Sequence, residues 1–187
     1  MAKSLDEILV VDVESTCWEG APPAGQSSEI IEIGLCPLNV QTLTRSEKVS
    51  ILVKPVRSEI SQFCTALTTL TADMFQDAGS LADAVRNLKR NYRSKDRVWA
   101  SWGDYDRRQF DRVCRDAGVA YPFGPGHLNV KTLFAASHGL TRETGLDGAC
   151  GHIGMAMEGT HHRGHDDAWN IAGILAHLLA KMRNPAP

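Results

Sequence analysis

Stretches of alternating or continuous apolar residues along this chain predict five β-strands. The first, at about residues 7–14, is apolar on both faces, which is typical of a strand covered on both sides. Shorter apolar runs at 30–36, 49–53, 98–103 and 127–130 predict the others. Because three strands come first and helices then alternate with strands, we expect an α/β fold with a mixed five-stranded sheet flanked by helices.

Apolar residues spaced three and four positions apart predict the helices. We expect helices at about residues 60–70, 80–93, 104–117, 130–138, 145–154 and 166–182. Thr71 is expected to cap a further short helical turn. Pro185 and Pro187 predict a frayed tail, so the core should run from about residue 7 to residue 182. The chain contains no repeat and no linker, and we expect a single domain over residues 1–187.

The composition is that of an ordinary globular protein, with 43% hydrophobic and 22% charged residues in 187. A net charge of −2 provides no general attraction to a polyanion, so nucleic-acid binding would need local charges or metal ions. No apolar run is long enough to span a bilayer, and we expect neither a signal peptide nor membrane association. The five cysteines form no C-x-x-C pair, which predicts reduced thiols in a cytoplasmic protein without a zinc motif.

Two carboxylates lie at the end of the first predicted strand, at Asp12 and Glu14. Strand side chains alternate between the two faces, so these two should point to the same side. They would repel each other unless a cation lay between them, and carboxylate oxygens suit Mg²⁺ or Mn²⁺. The alternative is a strand that simply ends in solvent, and the pattern alone does not choose between the two.

Helical spacing assigns two further acids to apolar faces. Asp106 falls on the apolar stripe of its predicted helix, whereas Asp104 falls on the polar side, as a cap or first-turn acid. In the last helix Asp167 falls on the apolar stripe, and Asp166 on the polar side, which we expect to face solvent. A buried carboxylate costs free energy unless it is paired or metal-bound. Each could be a satisfied core acid, but together with the two strand carboxylates they predict a metal cluster.

A histidine precedes the last of these acids by five residues. His162 lies in a glycine-flanked loop that could bring it over the metals, where it would act as a general base toward water. His161 and His165 compete with it on proximity alone.

These motifs occur in a fixed order: Asp12-x-Glu14, then Asp106 after an aromatic residue, then His162 followed five residues later by Asp167. The order resembles the DEDDh (DnaQ-like) superfamily of 3′–5′ exonucleases. Three longer segments look like the enhanced-RNAi (Eri-type) exoribonucleases and their bacterial relatives, at residues 61–68, 101–106 and 162–172.

The resemblance covers about residues 7–180 and implies a ribonuclease-H-like fold forming a single exonuclease domain. It implies a metal-dependent enzyme that releases nucleoside 5′-monophosphates from the 3′ end of single-stranded nucleic acid, with RNA favoured. The implied cofactor is a pair of Mg²⁺ ions, for which Mn²⁺ can substitute. The expected partners are therefore a single-stranded RNA or DNA 3′ end and the nucleoside monophosphate product. The sequence does not identify protein partners.

The resemblance also implies roles for single residues. Four would hold the metal ions: Asp12, Glu14, Asp106 and Asp167. His162 would take a proton from the attacking water. Five are expected to contact the terminal nucleotides: Thr16, Trp18, Phe63, Leu67 and Tyr105. The three aromatic ones would stack on bases, although each could equally be a core residue. The chain departs from the family at Thr69-Leu70, where relatives usually carry glycine and isoleucine, which could alter the hold on the terminal nucleotide.

Two other functions use the same motifs. A DNA-directed proofreading or repair exonuclease would need the same acids and histidine, because discrimination of RNA depends on contacts to the 2′-hydroxyl. A regulatory binding protein could use the exonuclease fold as a docking surface. The intact set of acids and histidine argues against this last possibility, since a binding module would not need the cluster.

Overall fold

The structure is a computed structural model that describes residues 4–184. Its strands, in chain order, are β1 (Ser4–Ser15), β2 (Ile30–Asn39), β3 (Val49–Leu52), β4 (Arg97–Ser101) and β5 (His127–Asn129). They form one five-stranded sheet in the order β3-β2-β1-β4-β5. β1 pairs antiparallel with β2 and parallel with β4, whereas β3 is antiparallel to β2 and β5 parallel to β4. The predicted mixed five-stranded sheet is therefore confirmed.

The predicted helices are present, with ends that differ by a few residues from those expected. They are α1 (Gln62–Thr68), α2 (Leu81–Asn91), α3 (Tyr105–Asp116), α4 (Val130–Ser137), α5 (Leu146–His152) and α6 (Gly164–Arg183). Thr71 is the N-cap residue of a short 3₁₀ turn, Ala72–Phe75. The predicted frayed tail at Pro185 and Pro187 lies outside the described residues. Among the helices of residues 4–184, none combines the length and the apolar character needed to cross a membrane.

Strand β1 lies in the middle of the sheet, and its side chains alternate between two cores. Val10 packs in the core that α6 covers, with Ile171. Leu9 lies on the opposite face with Leu88 of α2 and Phe110 of α3. A continuous apolar run is the expected sequence of a strand covered on both faces. The strand therefore ends between the helices of both layers, which is where its two carboxylates lie.

A contact between two glycines brings the start of α6 onto the sheet. Gly34 of β2 pairs with Asp12 across the strands. A Cβ atom added at Gly34 would lie 1.9 Å from the backbone carbon of Gly164, and one added at Gly164 would lie 3.1 Å from the carbonyl oxygen of Asp12. Because neither residue has a side chain, the first turn of α6, which includes Asp167, lies beside the end of β1.

The predicted polar side of α6 is buried rather than exposed at its start. Asp166 is only 8% exposed, and its carboxylate accepts hydrogen bonds from Lys48 Nζ at 2.7 Å and from the backbone N–H of Thr160 at 2.8 Å. Asn170, one turn later, is also buried and donates to the carbonyl of Glu158 at 3.0 Å. The prediction that Asp166 faces solvent is therefore wrong. Helical spacing identifies the side that points away from the sheet, but it cannot show that a preceding loop folds over that side.

We expect Gly34→Ala to destabilise the protein, because its Cβ would collide with the backbone of Gly164. Overpacking a buried site typically costs about 1–3 kcal/mol, and urea unfolding measures the loss. Gly151→Ala is the control, since nothing lies within 4 Å of a Cβ there and alanine favours a helix more than glycine does. Equal stabilities of the two variants would contradict the importance of the glycine contact.

Candidate active site

Three carboxylates from two elements meet in one cavity. Asp12 and Glu14 come from the end of β1, and Asp167 comes from the first turn of α6. One carboxylate oxygen of each lies within 4.8 Å of the others. All three line a cavity of about 320 Å³. Alternation along the strand and spacing along the helix explain why both β1 acids and Asp167 face the same space.

Asp106 lines the same cavity from the first turn of α3 and is buried. Its Oδ1 accepts a hydrogen bond from the backbone N–H of Val13 at 2.9 Å, which ties α3 to β1. Asp104 occupies the N-cap position of α3, and its carboxylate accepts from Arg107 Nε at 3.2 Å. Asp106 thus faces the interior and Asp104 the outside, as the helical spacing predicts.

Crowding and burial raise the pKa values of these carboxyl groups. Burial, with repulsion from Asp167, raises the pKa of Glu14 to about 9. Burial raises the pKa of Asp106 to about 6 and, together with the charges of Asp106 and Glu14, raises the pKa of Asp12 well above its ordinary value. Ionising the whole group at neutral pH is therefore unfavourable unless a cation is bound. A set of hard oxygen donors fits a divalent cation such as Mg²⁺ or Mn²⁺.

Two of the three neighbouring histidines lie at the cavity. The backbone N–H of His162 donates to Asp167 Oδ2 at 2.9 Å, and His161 Nδ1 lies 3.0 Å from Asp167 Oδ1. The two imidazole rings stack with centroids 4.0 Å apart. His165 faces away, with its Nδ1 2.9 Å from Glu32 Oε1.

The environment of His162 favours its neutral form. Burial lowers its pKa and the neighbouring His161 lowers it further, which outweighs the opposite effect of Asp167. A neutral imidazole can accept a proton, so His162 has the protonation state that a general base requires at neutral pH.

Glu32 is a fully buried carboxylate that the motif analysis did not single out. It lies opposite Glu14 in the pairing of β1 with β2. Its Oε2 accepts from the backbone N–H of Gly164 at 3.1 Å and from Arg163 Nε at 3.2 Å. Burial alone would raise the pKa of Glu32, but hydrogen bonds from Arg163 and Ser50 hold it below its ordinary value. Glu32 therefore anchors the start of α6 as an ionised group. The only signal in the sequence that could have identified Glu32 was its position as an acidic residue within an apolar strand.

Two of the five residues predicted to contact nucleotides line the cavity. They are Leu67 and Tyr105, which are 37% and 57% exposed. Thr16 is fully buried: its hydroxyl accepts from the N–H of Glu29 at 2.9 Å and donates to the carbonyl of Ser27 at 3.3 Å. Its side chain therefore holds the loop after β1 closed and does not line the cavity.

The other two predicted contacts lie outside the cavity wall. Phe63 is 41% exposed on α1, and Trp18 is partly buried in the loop that follows β1. The wall also includes Cys17, Trp102 and Leu146, none of which was predicted to contact a nucleotide. These three come from separate segments and carry no common sequence pattern.

Thr69, at the position where the resemblance leads us to expect glycine, ends α1 in a left-handed conformation with φ of 62°. Glycine adopts this conformation at little cost, whereas a β-branched residue is strained there. The hydroxyl of Thr69 accepts from Arg163 Nη1 at 3.4 Å, so this threonine adds a contact to the residue that precedes α6.

The sheet order, the carboxylates at the end of β1 and the adjacent histidine define the class of ribonuclease-H-like nucleases. Residues 9–175 match the RNase T exonuclease family, and the chain belongs to this family. A crystal structure of the nuclease domain of 3′hExo, described as a DEDDh family member bound to rAMP, superposes with a TM-score of 0.85 at 27% identity. That match covers 94% of this chain and 92% of the other. The predicted superfamily and fold are therefore confirmed.

Two relatives illustrate the range of the family. The 3′–5′ exoribonuclease 1 of Rattus norvegicus is 29% identical over 184 residues, which cover 93% of this chain and 53% of the relative. This chain thus spans about half the length of that enzyme. The probable 3′–5′ exonuclease KapD of Bacillus subtilis is 24% identical over 165 residues, which cover 87% of this chain and 80% of KapD.

We expect the metal-free protein to lose stability as pH rises. A carboxyl group whose folded pKa lies above its unfolded value of about 4 stabilises the native state fully at low pH, and that contribution is lost as pH rises through the folded pKa. With Asp106 near 6 and Glu14 near 9, the melting temperature in chelator should fall between about pH 4 and pH 9. Mg²⁺ should raise the melting temperature most at the upper end of this pH range.

The Asp12→Asn variant should show whether repulsion among the cavity carboxylates, rather than general instability, causes the loss of stability at high pH. Removing one charge from the crowded group should stabilise the metal-free protein at pH 8 and reduce the rise in melting temperature that Mg²⁺ produces. Asp104→Asn is the matched control, because Asp104 lies outside the cavity and pairs with Arg107. Equal Mg²⁺-induced shifts in the wild type and Asp12→Asn would contradict the assignment of the site.

Proposed function

We propose that this chain is a metal-dependent 3′–5′ exonuclease that releases nucleoside 5′-monophosphates from single-stranded nucleic acid, with RNA favoured. The observation that carries the proposal is the cavity where Asp12, Glu14 and Asp167 converge next to His162. Membership of the exonuclease family and the similarity to enzymes named 3′–5′ exoribonucleases support it.

The carboxylates would hold the metal. Asp12, Glu14 and Asp167 would bind divalent cations, with Asp106 completing the cluster. We infer two Mg²⁺ ions, with Mn²⁺ as a substitute, because every donor is a hard oxygen. Such a pair, when bound, supplies charge that activates water and stabilises the phosphate and the leaving 3′-oxygen.

His162 would remove a proton from the attacking water. Its lowered pKa keeps the imidazole neutral, and the hydrogen bond from its backbone N–H to Asp167 holds the residue beside the carboxylates. Its φ of 64° turns the backbone sharply at this point, immediately before α6 begins. A general base typically contributes about 10²–10⁴-fold to the rate.

The cavity would accept the 3′-terminal nucleotide. At about 320 Å³ it is at the small end of ligand sites, which suits one nucleotide rather than a duplex. Tyr105 offers an exposed ring for stacking, and Leu67 an apolar surface. Phe63, one helical turn before Leu67, would reach the next base. Thr16 and Trp18 would affect nucleotide binding indirectly, by fixing the conformation of the loop after β1.

We also propose a cytoplasmic location. The five cysteines form no disulfide within residues 4–184, which supports a reducing environment.

The proposed activity is tested with matched single-stranded RNA and DNA labelled at the 5′ end, in Mg²⁺ and in chelator. We expect stepwise shortening from the 3′ end, faster for RNA, with nucleoside 5′-monophosphates as products and no reaction in chelator. Faster hydrolysis of DNA would instead favour a proofreading or repair enzyme. Binding of RNA without hydrolysis would favour a regulatory binding protein.

We expect His162→Asn to cleave roughly 10²–10⁴-fold more slowly than the wild type in single-turnover reactions at saturating Mn²⁺. Asparagine tolerates the positive φ at this position, so the substitution removes the base with little added backbone strain. Mn²⁺ binding should persist, because the proposed ligands are carboxylates. His161→Asn is the comparison and should lose far less activity; the opposite order of the two variants would assign the base to His161.

A further inference from the structure

A second group of possible metal ligands overlaps the proposed catalytic site. It consists of His161, His162 and Asp167, whose ligand atoms lie within 4.8 Å of one another. It shares Asp167 with the carboxylate group formed with Asp12 and Glu14. The two groups differ in chemistry, because one offers only oxygen and the other offers two imidazole nitrogens and one carboxylate.

Because their ligand atoms differ, the two groups should prefer different metal ions. Two histidines and one carboxylate are a known ligand set for Zn²⁺, which also binds imidazole more strongly than Mg²⁺ does. We propose that His161, His162 and Asp167 form an inhibitory Zn²⁺ site. The role given to Asp167 and His162 in the reaction rests on the proposed exonuclease function.

The positions of the side chains suit such a site. His161 Nδ1 and Asp167 Oδ1 are 3.0 Å apart, near the roughly 3.4 Å separation of two ligands around tetrahedral zinc. The His161 side chain is 43% exposed, so solvent can supply the remaining ligand. His165 does not compete with these ligands, because its ring already contacts Glu32.

Zn²⁺ at this site would block the reaction in two ways. The His162 nitrogen that bound zinc could no longer accept a proton, and Asp167 would be withdrawn from the carboxylate group. Because Asp167 belongs to both groups, Mg²⁺ and Zn²⁺ should oppose each other, and more zinc should be needed as Mg²⁺ increases. The exposed His161 would therefore add an imidazole ligand and make the enzyme more sensitive to zinc than its carboxylates alone would.

Calorimetric titration of the full chain with Zn²⁺, without nucleic acid or Mg²⁺, tests the site directly. We expect His161→Asn to bind zinc at least roughly tenfold more weakly than the wild type, since even loss of an outer partner costs a metal site that much. An asparagine amide can still donate a hydrogen bond to Asp167 but lacks the imidazole ligand. His152→Asn, at an exposed histidine at the end of α5, is the matched control and should bind as the wild type does.

Nuclear magnetic resonance of the histidine ring nitrogens identifies the ligands. Zinc should shift one nitrogen of His161 and one of His162, and leave His152 unchanged. Shifts confined to other histidines, or equal zinc affinities of His161→Asn and the wild type, would overturn the proposed site.

Inhibition is then measured as the zinc concentration that halves each protein's own Mg²⁺-dependent rate, so that any effect of the substitution on the reaction cancels. This concentration should be at least roughly tenfold higher for His161→Asn than for the wild type and His152→Asn. Equal values in all three would overturn the inhibitory role. If the wild type hydrolyses no nucleic acid, the proposed exonuclease function fails, and the calorimetric comparison alone decides whether the zinc site exists.

Discussion

Carboxyl groups gather at the end of β1, and their mutual repulsion constrains the structure around them. Asp12 and Glu14 leave the strand on the same side, and α6 brings Asp167 to within a few ångströms of both. Burial and repulsion raise the pKa values of both strand acids, so the folded chain without a cation holds them in an unfavourable environment. A protein keeps such an arrangement only if other contacts hold it together, and the surrounding structure supplies them.

Those contacts converge on the start of α6. The Gly34–Gly164 approach lets the helix reach the sheet, and ionised Glu32 beneath it accepts from the backbone N–H of Gly164 and from Arg163. On the other side, Lys48 and the loop before the helix enclose Asp166. Two buried acids are thus fully paired within the protein, while the acids of the cavity are left with oxygen atoms directed at a common space. The paired acids provide rigidity, and the crowded ones provide the capacity to bind a cation.

The same helix start also sets the relation between His161 and His162. Both contact Asp167, one through its ring and the other through its backbone N–H, and their rings stack. This arrangement gives one carboxylate two sets of neighbours with different metal preferences. The proposed catalytic site and the proposed zinc site would then share Asp167 and His162, so the rate of the reaction would depend on the relative concentrations of Mg²⁺ and Zn²⁺.

The sequence by itself determined the strands, the helices and the side toward which Asp12, Glu14, Asp106 and Asp167 point, because strand alternation and helical spacing are local regularities. Only the tertiary structure decided what covers each side chain. Lys48 lies 118 residues from Asp166, and Glu32 lies 131 residues from Arg163, so no local pattern could reveal either pair. Thr16 is a further case: the sequence predicts it as a nucleotide contact, and only the structure shows that its hydroxyl forms hydrogen bonds to residues 27 and 29 of the returning loop. Periodicity reports the direction of a side chain, whereas its partner depends on which distant segment packs against it.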